Sequence, residues 1–108
     1  MAHVLEQAGY NVSVAGSARE GWQKVLQEKP RCLLLDVVLP DISGFQACRH
    51  FRANIPKQAL AIILISTKNT ALDKAWGMRQ GADDYLVKPF SEAALLQAVH
   101  NALAMQSA

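Results

Sequence analysis

Residues 32–44 read CLLLDVVLPDISG. The run from Cys32 to Val38 is apolar at nearly every position, broken only by Asp36 near its end. A strand with one face in water would alternate apolar and polar residues, so a continuous run predicts a parallel strand covered by helices on both sides. Pro40 and Gly44 follow as turn punctuation before a helical pattern begins.

Working outward, Ala61 to Ile65 repeats this signature, with Ile62, Ile63, Leu64 and Ile65 apolar on both faces. Asn11 to Ala15 and the shorter Tyr85 to Val87 read as further strands. Between the runs, apolar residues recur at helical spacing. Ser17 with Glu20 three residues on predicts a capping box, opening a helix that carries Trp22, Val25 and Leu26 and stops at Pro30. A helix after Gly44 carries Phe45, Cys48 and Phe51. Another, from Thr70 to near Gly81, carries Leu72, Ala75, Trp76 and Arg79. The last, after Ser91, turns Leu95, Ala98, Val99 and Ala102 inward, and the closing MQSA reads as a frayed helix end. Met1 to Ala8 is the tail of a helix closed by Gly9. The alternation is α/β, a doubly wound sheet with helices on both faces. Such a pattern does not begin partway along a helix, so the expectation is that the first strand precedes Met1, and that interior strands left unpaired favour dimerisation or strand exchange.

The chain has 108 residues, enough for one domain, and a formal charge of +2 from eleven dispersed basic residues. Dispersed charge argues against direct nucleic-acid binding, and the lack of a long apolar run or leader argues against membrane insertion and for the cytoplasm. Cys32 and Cys48 lack metal-ligand spacing and are expected to pack as small hydrophobes; His3, His50 and His100 show no such spacing either.

In doubly wound sheets, ligands bind at the carboxyl ends of the strands. Asp36, Ser66 and Lys88 each fall at such an end. A carboxylate, a hydroxyl and an ammonium in one crevice provide the nucleophile, hydrogen-bond donor and cation that phosphoryl transfer to an aspartate uses, with a divalent ion completing the charge balance. Read singly, each residue has a structural explanation: an aspartate capping a turn, a serine ending a strand, a solvated lysine, a core tyrosine at Tyr85.

Taken together, DVVLPDISG at 36–44, IST at 65–67 and DDYLVKPF at 83–90 resemble the receiver domain of two-component response regulators. The separations, thirty residues from Asp36 to Ser66 and twenty-two from Ser66 to Lys88, match the same family, and the resemblance spans residues 1–108. It implies a flavodoxin-like fold and a phosphorylation switch rather than a turnover enzyme. Asp36 is then the acceptor of a phosphoryl group from a histidine kinase. Val38 lends a backbone carbonyl to Mg²⁺, Ser66 and Thr67 bind the phosphoryl group, and Lys88 pairs with one of its oxygens. Tyr85 is the rotamer switch, Pro40 and Gly44 shape the loop after Asp36, and Pro89 follows a cis peptide. No residue matches the acidic pair that receivers place after their first strand to hold the metal. DKAWGMRQGADDYLVKPF, through Trp76, Gly77, Arg79, Gln80 and Gly81, is similar to the single-domain receivers of chemosensory systems controlling type IV pili and twitching motility.

Three other readings stand beside this one. The chain is part of a larger transcription factor or hybrid kinase, or a docking module that works without phosphorylation, or a small hydrolase or redox protein of similar fold. The last lacks a nucleophile elbow, a phosphate-cradling glycine loop and a CxxC pair.

Overall fold

A computed structural model describes residues 1–106. Its elements run α1 (Ala2–Gln7), α2 (Ala18–Glu28), β1 (Cys32–Asp36), α3 (Gly44–Asn54), β2 (Ala61–Ser66), α4 (Ala71–Arg79), β3 (Asp84–Val87) and α5 (Glu92–Gln106). The three strands are parallel in the order β1-β2-β3.

Every residue of β2 is buried, which explains its unbroken apolar sequence. Successive side chains point to opposite faces of the sheet. Ile62 and Leu64 join Leu35 in a core with Val25 of α2 and Cys48 and Phe51 of α3, while Ala61 and Ile63 join Leu5 of α1 and Leu95, Ala98 and Val99 of α5 on the other side. This is the expected double winding, and the inward stripe read for α5 is the observed one. Burial of each large aliphatic side chain contributes about 1.5–3 kcal/mol, so these two cores hold the layers together.

The helix ends are closed locally. Ser43 and Gln46 form a capping box on α3, and Thr70 and Asp73 form one on α4. At α2, Ser17 Oγ accepts from the Glu20 N–H as predicted, but the Glu20 carboxylate reaches Gly16 N–H, one residue before the cap. Gly9 and Gly81 end α1 and α4 with φ of 96° and 105°.

Several expectations need correction. Asn11 to Ala15 forms no strand: a strand requires a ladder partner, and the sheet of the described residues ends at β1, whose far edge has no strand beside it. The run from Cys32 ends as a strand at Asp36, because Val37 already turns away after donating its N–H to the Ile65 carbonyl. Leu26 of α2 is exposed, and α4 turns Leu72, Ala75, Trp76 and Arg79 outward. The reason lies at Gly77, where an added Cβ would sit 2.9 Å from both Leu64 and the Tyr85 ring, so the bulky side of α4 cannot face the sheet. Met105 and Gln106 continue α5, whereas Ser107 and Ala108 of the predicted frayed end lie outside the described residues.

Both cysteines pack as expected. Burial pushes the Cys32 and Cys48 thiols up to about 11, so they stay protonated and unreactive at neutral pH.

At the amino ends of the strands, Arg52 of α3 donates to the carbonyls of Ile55, Leu60 and Gly81 and, at 2.7 Å, to the Asp83 carboxylate. Asp83 also accepts from Ile62 N–H, tying α3, β2 and the start of β3 into one network. Arg52→Ala leaves a carboxylate of 7 % side-chain exposure short of its main partner. Loss of about 3 kcal/mol of stability is expected, read as a lower urea midpoint at unchanged slope.

Candidate functional site

Register decides what meets at the carboxyl edge of the sheet. Asp36 pairs with Ile65 and Ser66 with Val87, so Asp36, Ser66 and Lys88 end neighbouring strands at one level. Lys88 N–H donates to the Ser66 carbonyl at 2.8 Å, extending the ladder by one bond beyond β3 and aiming the lysine across β2 towards β1.

Lys88 Nζ lies 2.7 Å from Asp36 Oδ2, and both side chains are about two-fifths exposed. The other carboxylate oxygen, Oδ1, accepts from Val38 N–H at 3.2 Å. The sequence-predicted carboxylate and cation are therefore in direct contact. The ion pair is half in water, so it is worth no more than about 1 kcal/mol and is easily exchanged for another anion.

Ser66 is buried, and its Oγ accepts from Lys68 N–H at 3.0 Å, leaving its own O–H to donate elsewhere. Tyr85 is buried too, its ring in the core and its hydroxyl donating to the Lys68 carbonyl at 2.9 Å. Ser66 and Tyr85 thus meet through the backbone of Lys68, whose ammonium lies 6.0 Å from the Phe45 ring centroid. Sequence reasoning passed over Lys68, because its role here is largely carried by backbone groups that any residue has.

Thr67, Lys88, Pro89 and Phe90 line an open groove of about 590 Å³ beside the ion pair, and Lys88–Pro89 is cis. Gly44 begins α3 pressed against the loop after Asp36: an added Cβ would lie 2.2 Å from the Asp36 carbonyl oxygen. Pro40 and the Val38 side chain are exposed in that loop.

The second residue missed is Asp41. Its carboxylate accepts from Ala18 N–H at 3.0 Å and Arg19 N–H at 2.9 Å, capping the first turn of α2 from a position beyond β1 in the sequence. Those bonds, Arg19's first, hold the carboxyl below the usual carboxylate range. No local pattern reveals a cap from a residue more than twenty positions away.

As a phosphoryl site, this arrangement offers a carboxylate nucleophile held by one N–H and one ammonium, beside a hydroxyl donor. As a metal site it is incomplete. Mg²⁺ requires six oxygens in near-octahedral order. Asp36 and the Val38 carbonyl are the donors the resemblance assigns, and no group of three or more His, Cys, Asp or Glu side chains among the described residues is placed to hold a metal ion.

Comparison with known proteins decides the family. The model described as "Response regulator receiver domain" matches residues 1–100. The chain belongs to the response regulator receiver domain family. The receiver is 41% identical to Protein PilH of Pseudomonas aeruginosa over 101 residues, which is 94% of this chain and 84% of that protein. It is 39% identical to the alkaline phosphatase synthesis transcriptional regulatory protein PhoP of Bacillus subtilis, over 81% of this chain but 35% of that longer protein. A crystal structure of a response regulator from Chloroflexus aurantiacus superposes with a TM-score of 0.86 at 36% identity, covering 94% of the receiver and 84% of that chain. No helix among the receiver's described residues is long and apolar enough to cross a membrane.

Asp41 gives the receiver a defined acid response. Its folded pKa is lowered, so its contribution is present above the unfolded value of about 3.9 and is lost as pH falls through the folded one. At pH 7 Asp41→Asn should therefore melt below wild type, with the two melting temperatures converging as pH drops below about 4, as thermal unfolding followed by circular dichroism will record.

Proposed function

We propose that this chain is one receiver domain over residues 1–108, acting in a two-component system as a switch that takes a phosphoryl group from a histidine kinase onto Asp36. The observation that carries this reading is the 2.7 Å contact between Asp36 and Lys88 at the ends of two strands separated only by β2. It supports a phosphoacceptor because the ammonium already stands where negative charge arrives.

In the step, an Asp36 carboxylate oxygen forms a bond to phosphorus as the P–N bond of the kinase phosphohistidine breaks, the electron pair returning to the imidazole. Lys88 moves from the carboxylate to a phosphoryl oxygen, and the Ser66 O–H donates to another, offsetting charge as it develops. Water attack on the acyl phosphate releases inorganic phosphate and restores Asp36. Receivers carry out this chemistry with Mg²⁺, which offsets charge on the phosphoryl oxygens; here Asp36 and the Val38 carbonyl are the groups assigned to hold it, and they need further oxygen donors.

Tyr85 supports the switching half of the proposal. Its hydroxyl bonds the Lys68 carbonyl, and the Lys68 N–H bonds Ser66 Oγ, so a shift of Ser66 towards a phosphoryl group is felt at the ring. The ring packs against Gly77 of α4, whose outer face carries exposed Leu72 and Trp76. That face is assigned to a downstream protein target. The similarity to PilH over 84% of that protein favours a stand-alone receiver, and the resemblance of residues 73–90 to chemosensory receivers favours the cytoplasm and a chemotaxis-type pathway controlling twitching motility.

A second reading, docking without phosphorylation, is favoured by the incomplete set of metal donors. Intact-mass measurement after exposure to acetyl phosphate and Mg²⁺ separates the two. The phosphoacceptor reading expects one phosphoryl group on wild type and none on Asp36→Asn; no adduct on either leaves the docking module.

A further inference from the structure

The loop from Val37 to Ser43 leaves the sheet and returns to its starting point. At its base, Gly44 N–H donates to the Val37 carbonyl at 2.7 Å, and Gly44 lies too close to Asp36 for any side chain. At its far end, Asp41 grips two N–H groups of α2. Between these fixed points lies Val38, largely exposed, whose N–H is the partner of Asp36 Oδ1.

Val38 is 79% exposed, so little packing among the described residues holds that N–H in place. Its position follows from the two ends of the loop. Pro40, next to Asp41, has a φ fixed by its ring, which shortens the path over which a displacement could be absorbed. The Asp41 carboxylate accepts from the Ala18, Arg19 and Ile42 N–H groups, so its bonds lie along the loop and α2.

We propose that Asp41 is a positioning residue for the acceptor: by anchoring the loop to α2 it holds Val38 N–H on Asp36 Oδ1 while Lys88 holds Oδ2, fixing the direction in which the carboxylate presents itself. The proposal rests on Asp36 being the acceptor, but the anchoring is measurable without phosphorylation.

The test compares three variants by NMR. Ser17→Ala is the control, because it removes another cap from the same end of α2, the bond to Glu20 N–H, without touching the loop. In Asp41→Ala, exchange of the Gly44 amide hydrogen should accelerate about tenfold. The Val38 amide resonance should also shift, because that N–H no longer rests on Asp36 Oδ1. Asp41→Asn, which keeps one acceptor oxygen, should fall between Asp41→Ala and wild type. Ser17→Ala should lower the melting temperature with both loop readouts unchanged. Unchanged readouts in Asp41→Ala, or equal changes in Ser17→Ala, overturn the proposal. Failure of Asp36 to accept a phosphoryl group would show separately, as absence of an adduct on wild type, and would leave the result on the anchor standing.

Discussion

Burial of β2 on both faces dictates where the neighbouring strands and helices must lie. A strand enclosed by helices above and below must find backbone partners on both edges, and in this chain β1 and β3 are those partners. Once they pair in parallel, all three strands end on the same side, and the residues that end them have nowhere to go but one crevice. Asp36, Ser66 and Lys88 are neighbours because Ile62, Ile63, Leu64 and Ile65 are in the core. Any change that shifted β2 by one residue would exchange the two faces and dissolve the site together with the fold.

The crevice itself is built loosely where it needs to change and tightly where it does not. The Asp36–Lys88 pair is half-exposed and weakly held, whereas the Arg52–Asp83 network at the opposite end of the strands is nearly dry and makes bonds to three backbone carbonyls. A buried pair resists disruption because removing one partner strands the other charge. A half-exposed pair can exchange a carboxylate for a phosphoryl oxygen at little cost. The two ion pairs sit where a hinge-free scaffold and a responsive site are respectively required.

How much of this could be read from the sequence follows from the range of each interaction. The strands β1 and β2 were legible because enclosure leaves a continuous apolar run, and the site residues were legible because each lies at the end of such a run. Asn11 to Ala15 has an equally plausible strand composition, but composition cannot supply a ladder partner. The α4 stripe was legible as amphipathic and misleading in direction: Leu72, Ala75, Trp76 and Arg79 define a face, yet the Tyr85 ring and Leu64 leave room only for Gly77. Asp41 and Lys68 were out of reach, one because its cap closes across the chain, the other because backbone groups carry its role.

In the proposed switch, Asp36 itself becomes the acyl phosphate. The most direct measurement is borohydride reduction of the phosphorylated protein followed by tandem mass spectrometry, since reduction converts a phosphorylated aspartate to homoserine. Homoserine at position 36 and nowhere else is the predicted result. Homoserine at another aspartate, or phosphate recovered only on hydroxyl or imidazole side chains, would contradict it.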